Sequence, residues 1–196
     1  RRAQRTGLAV RVVAGIHRPL LEEAIAAGLR SGDVVDGTGD RLTVGQAKVL
    51  IDGSLNSRTA LCHNAYPGTT DHGQLTQDLT ELTATLRVAT AAGISFAVHA
   101  IGDRANAYAL DCFANAEVGG WIEHAQLVAP ADLPRFAELG VIASVQPAHA
   151  VEDRDVTDRH WSDVAGHAFA YRSLLDAGAV LEFGSDAPVS RLDPWR

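Results

Sequence analysis

The chain has 196 residues, 46% hydrophobic and 21% charged, with a formal net charge of −7. That apolar content excludes a disordered segment, and no run of about 18 apolar residues is present to span a membrane. The acidic balance argues against nucleic-acid binding, which needs a basic face to neutralise phosphates. Two cysteines, Cys62 and Cys112, are too few for a disulfide framework and read as small buried side chains. With no export signal in view, the expectation is a cytoplasmic protein, residues 1–196 forming one domain. Oligomerisation is left open.

Short apolar runs alternate with helical patterns along the chain. A strand is predicted over Arg11–Ile16, then a helix over Leu20–Leu29 with Glu22 and Glu23 early and Gly32 beyond its end. A strand over Lys48–Ile51 follows. Leu75, Leu79, Leu82, Leu86 and Ala89 repeat at steps of four and three, the stripe of an amphipathic helix that ends near Gly93. Next come a strand over Ser95–Ala100, a helix over Asp103–Ala116 and a strand over Trp121–His124. A helix over Asp132–Leu139 carries Pro134 in its first turn and Gly140 after its end. The strand Val141–Gln146, a helix over His167–Ala177 closed by Gly178, and the strand Val180–Gly184 complete the series. The strands are mostly continuous apolar runs, which suits a parallel sheet buried on both faces. Such alternation means either a doubly wound sheet or a (β/α)8 barrel, here with six of its strands. Both architectures place function at the C-terminal ends of the strands.

Four residues stand at those ends. His99 closes SFAVHA, His124 closes WIEH, and Asp186 follows VLEFGS. Lys48 opens or lies within KVLID, and it is the sole lysine among 17 basic residues. Each has an ordinary explanation by itself: a hydrogen-bonded core histidine, an aspartate capping a turn, a strand lysine. Two histidines and an aspartate on different parallel strands would instead converge on one barrel mouth. Imidazole and carboxylate there suit zinc, manganese or iron.

Five ordered motifs extend this pattern: KVLIDGSLNSRTAL, AVHAIGDRAN, IEHAQLVAPADLPRFAELGV, SVQPAH and LEFGSDAPVSRLDPW. From about Gly7 onward the chain resembles amidohydrolase family 3, metal-dependent enzymes that hydrolyse carbon–nitrogen bonds other than peptide bonds. The resemblance implies a partial (β/α)8 TIM barrel, roughly strands 3 to 8, with a divalent metal, zinc first, at its mouth. It implies Lys48 as a lysine that becomes N-carboxylated and bridges two metals, His99 and His124 as ligands, and Asp186 as ligand and proton acceptor from the nucleophilic water. A carbamate forms on an unprotonated amine, chemistry open to lysine and closed to arginine.

The family's first strand normally ends in a His-x-His pair, and none occurs here. His17 follows what reads as the third strand, so the expectation is a fragment carrying part of a metal site, with unpaired strand edges. Two other readings stay open: a metal-binding chain without activity, and a scaffold without metal. Arg58 and His149 are candidates for contacting a small-molecule substrate. Glu123 is expected to point away from His124, toward an ion pair beneath the helices. His63, His72, His160 and His167 read as loop or surface residues.

Overall fold

In the structure, a computed structural model that describes residues 7–193, six strands pair side by side in chain order. These are β1 (Val12–His17), β2 (Leu42–Leu50), β3 (Phe96–Ala100), β4 (Gly120–His124), β5 (Val141–Val145) and β6 (Leu181–Phe183). Every pairing is parallel. A doubly wound sheet reverses its strand order at a switch point, and this sheet has none. The sheet curls into a half-barrel, which settles the choice between the two architectures in favour of the partial (β/α)8 barrel.

The helices follow from local signals. Between β1 and β2 lies α1 (Leu21–Ala26), shorter than the predicted Leu20–Leu29: a 3-10 turn takes Arg18–Leu20 at one end, and Gly28, with φ 72, stops the helix at the other. The helix α2 (Leu79–Ala91) starts at Asp78, whose carboxylate accepts the Glu81 backbone N–H at 2.8 Å. That N-cap satisfies an otherwise orphaned donor, and it leaves Leu75 outside in an exposed loop. Then come α3 (Asp103–Ala116), α4 (Leu133–Glu138), α5 (Pro147–Glu152), α6 (Arg154–His160) and α7 (Tyr171–Asp176). The pair α5 and α6 is absent from the sequence expectation. Its segment is highly charged, with Val151 exposed and Thr157 buried, so it carries no apolar stripe.

One face of the sheet packs against these helices. Leu82 and Leu86 of α2, Leu110 and Phe113 of α3, Phe136 of α4 and Leu174 of α7 share a core with Val49, Val98, Ile122 and Val145. Residues paired across parallel strands project to the same side, so the register Leu50–His99–Glu123–Ser144–Glu182 marks the other, inner face. This face is not covered among the described residues: Leu50 and Glu182 are exposed, and β1 is exposed along most of its length. The expectation of strands buried on both faces therefore fails on the inner side and at the edge. It also fails for Glu123, which shares the inner face with His99 and makes no ion pair beneath the helices among the described residues.

β2 begins six residues before the predicted Lys48 start, at Leu42. Its register with β1 slips between Ala14 and Ile16, opposite Gly45 and Gln46. A bulge there explains the glycine that interrupts the strand pattern: a Cβ on Gly45 would lie 3.0 Å from the Ala14 carbonyl oxygen. Lys48 thus sits inside the strand, near its C-terminal end.

Past β2, residues 51–78 run without regular structure over the strand ends. A second cluster of Leu55, Ala60, Cys62, Tyr66, Ile101, Leu127 and Trp161 anchors this segment. Gly102 is where it presses closest, since a Cβ there would lie 2.0 Å from the Leu61 carbonyl oxygen. Gly102→Ala is expected to cost about 1–3 kcal/mol through this clash, lowering Tm by several degrees in thermal unfolding. An unchanged Tm would contradict the tight approach.

Candidate metal centre

The site grows from the C-terminal ends of β3, β4 and β5 and the turn after β6. On β3, His99 projects from the inner face and its Nε2 lies 3.2 Å from the Gly53 carbonyl oxygen. With Nε2–H donated to that carbonyl, Nδ1 is left as the lone-pair nitrogen. Burial pushes the His99 imidazole below its usual range, and nearby Lys48 works in the same direction.

Behind His99 stands Asp52, which sequence reasoning passed over as part of a turn. Its side chain is fully buried and accepts backbone N–H groups from Leu61 at 3.0 Å, Gly102 at 2.9 Å and Ile101 at 3.1 Å. Burial pushes its carboxyl up to about 7, against the downward pull of those same N–H groups. Asp52 Oδ1 approaches His99 Nε2 to 3.4 Å. Because burial holds His99 neutral, this is a contact with a neutral ring and not an ion pair.

His124 ends β4 with φ 76, and Ala125 follows with φ 41. Strict alternation would turn His124 outward, opposite to Glu123; the left-handed backbone swings it to the site instead. Such positions cost on the order of 1–3 kcal/mol each and persist where surrounding structure holds them. Here the brace is Gln146, whose Oε1 accepts His124 Nδ1–H at 2.8 Å, leaving Nε2 with its lone pair. Burial, with His99 beside it, pushes His124 down to about 3.

His149, in the first turn of α5, stacks on His124 at 5.9 Å between ring centroids and 13° between planes. Asp186, with φ 53, brings its Oδ2 to 4.0 Å from His149 Nε2. Ligand atoms of His124, His149 and Asp186 all lie within 4.8 Å of one another. The His99 ring is edge-on to His124 at 4.6 Å. Lys48, His99, His124, His149 and Asp186 line one cavity of about 600 Å³, whose further walls include Leu50, Leu55, Asn56, Glu152 and Val189.

The structure therefore brings together five of the six candidate residues. Arg58 is the exception: it is exposed, with φ 55, outside the cavity lining and close to His160. The tight turn of the SLNSR segment, with Arg58 N–H donating to the Leu55 carbonyl, points it away. Sequence reasoning also missed Gln126 and Gln146, buried glutamines whose amides touch His149 and His124.

These donors fit a divalent ion. Burial keeps His99 and His124 neutral, the form that ligates. His149 Nε2 is buried without a hydrogen-bond partner among the described residues and faces the Asp186 carboxylate. A buried polar atom left unsatisfied costs about 1–3 kcal/mol, a cost that an ion would remove.

The half-barrel, with histidines and an aspartate at its strand ends, is similar in fold to metal-dependent hydrolases. The sequence model of the amidohydrolase family matches residues 1–196, and the chain belongs to that family. It is 36% identical over 176 residues to Protein LONG AFTER FAR-RED 3 of Arabidopsis thaliana, covering 85% of this chain and 30% of that protein. It is 32% identical over 165 residues to the putative amidohydrolase YtcJ of Bacillus subtilis (strain 168), covering 80% and 31%. Among solved structures, an uncharacterized metal-dependent hydrolase from Pyrococcus furiosus is similar, with TM-score 0.87, 35% identity and coverage of 96% and 39%. One from Pyrococcus horikoshii OT3 gives 0.86, 34%, 96% and 38%. The chain thus spans about a third of the length of the curated relatives it matches. No helix among the described residues is long and apolar enough to cross a membrane.

The lowered His124 pKa has a signed consequence for stability. In the metal-free protein its share is fully present above the unfolded value of 6.5 and is lost as pH falls toward about 3. His124→Gln removes a titrating group, so the stability difference between wild type and variant is expected to shrink as pH falls from 6.5. Denaturant unfolding across this range checks it; a difference independent of pH would contradict the neutral buried imidazole.

Proposed function

We propose that this chain contributes the metal-binding strand ends of a hydrolase that cleaves carbon–nitrogen bonds other than peptide bonds in small amide- or formamide-like substrates. The convergence of His124, His149 and Asp186 at the strand ends carries this reading. Membership of the amidohydrolase family supports it. A divalent metal, zinc first, would be held by Lys48 as its carbamate, His99, His124 and Asp186. When bound, such an ion polarises the substrate carbonyl and makes water nucleophilic near neutral pH.

The chain's own residues do the rest. Neutral His99 and His124 offer Nδ1 and Nε2 respectively, each set by the hydrogen bond on the opposite nitrogen. Asp186 accepts the proton of the attacking water at a carboxylate oxygen and passes it to the leaving nitrogen. Leu50, Leu55 and Val189 give the cavity an apolar wall for the non-polar part of a substrate. A volume of about 600 Å³ suits a small molecule. Free, buried Cys62 and Cys112 suit a reducing compartment, and we assign the cytoplasm.

In the complete protein, Asp186→Asn is expected to lower turnover of an amide substrate by about 100-fold or more while leaving the fold intact. Near-normal turnover in the folded variant would remove Asp186 from the proton transfer. Mass spectrometry under mild conditions is expected to find about 44 Da on Lys48, the mass of a carbamate, and none in Lys48→Arg. An unmodified lysine in the metal-loaded protein would contradict a carbamate at Lys48.

A further inference from the structure

We propose that His149 is itself a metal ligand, held by Gln126 in the manner in which Gln146 holds His124. The proposal rests on the metal-centre reading above and extends its ligand set to a residue that the sequence offered only as a substrate contact.

The geometry is a crossed pair. Gln146, just after β5, reaches across to His124 at the end of β4, while Gln126, just after β4, reaches across to His149 beyond β5. All four side chains are buried, at 4% to 6% exposure. The rings lie nearly parallel, 13° apart, each with Nδ1 on its glutamine. In each case the opposite nitrogen, Nε2, remains for the site. On His124 the tautomer is fixed, because Gln146 presents its amide oxygen at 2.8 Å.

On His149 the partner atom is the amide nitrogen of Gln126, at 3.2 Å. That arrangement leaves two buried atoms without partners, Gln126 Oε1 and His149 Nε2. A half-turn of the amide resolves both when an ion is present. Gln126 Oε1 accepts His149 Nδ1–H, and the Nε2 lone pair takes the ion. Amide oxygen and nitrogen are alike in size, so the turn needs no repacking. With His124 Nε2 and an Asp186 oxygen, His149 Nε2 completes a His-His-carboxylate set on one side of the centre. Three protein ligands with a fourth position open is the ligand count of catalytic zinc sites. His99 and Lys48 line the same cavity and are outside this three-atom group.

A role limited to substrate contact explains the cavity position of His149 equally well. It does not explain why a buried nitrogen without a hydrogen-bond partner among the described residues faces a carboxylate at 4.0 Å.

The test is a Co²⁺ titration of the purified chain, followed by visible absorption, with far-UV circular dichroism to confirm folding. Wild type is expected to bind Co²⁺ with d–d bands. His149→Phe keeps ring volume and is expected to lose about 100-fold or more in affinity and to change the bands; Gln126→Leu is expected to lose about 10- to 100-fold. If His149→Phe does not fold, Gln126→Leu decides the matter alone. A folded variant with wild-type affinity and bands would overturn the assignment of His149 while leaving the metal centre standing. Absence of Co²⁺ binding in wild type would overturn the metal reading as well.

Discussion

The carboxylate of Asp52 is the interaction on which the site is built. It leaves the end of β2, enters a fully buried position, and collects N–H groups from Leu61, Ile101 and Gly102. A buried acceptor with three backbone donors holds two chain segments in one geometry, because releasing either leaves unsatisfied N–H groups. The long segment after β2 is thereby fastened to the end of β3. The same fastening puts the Gly53 carbonyl beside His99 and fixes which nitrogen of that ring faces the cavity.

Around this anchor, the strand ends are stitched to one another by neutral side chains. Asn106 of α3 donates to the Gly102 and Leu127 carbonyls, joining the segments that follow β3 and β4. Gln126 and Gln146 link β4 and β5 through the histidines themselves. Neutral braces suit this position, since a second carboxylate against His124 would favour the protonated ring. Burial, helped by neighbouring positive and imidazole groups, then holds His99 and His124 in the form that ligates, and the left-handed backbone at His124 is maintained by surrounding bonds. On the inner face, in a layer below the histidines, Trp121 Nε1–H donates to Glu182 at 2.6 Å.

Much of this was legible in the sequence, for particular reasons. Apolar runs flanked by turn residues located β1, β3, β4, β5 and β6 to within a residue or two. The N-terminal half of β2 was hidden because Gly45 marks a bulge, and the α5–α6 pair because its residues are charged and half-exposed. Lys48, His99, His124, His149 and Asp186 could be singled out because each lies at or beside a strand end, where parallel sheets gather their chemistry. Asp52, Gln126 and Gln146 could not. A glutamine two residues after a histidine carries no chemical signature, and an aspartate before glycine reads as a turn; only the crossing of loops in space gives them partners. Arg58 shows the converse, since a charged residue in a family-like motif looked functional until its turn carried it to the surface. Glu123 was misassigned because alternation was counted from His124, the residue whose backbone breaks it.

Anomalous diffraction at the zinc edge, from crystals of the protein grown with zinc, asks directly whether these strand ends hold a metal. The expected result is a strong peak bounded by His124 and Asp186, within reach of His149 and beside His99 and Lys48. A zinc-saturated crystal with no peak at that position, or with zinc only on surface residues, would contradict a metal centre there.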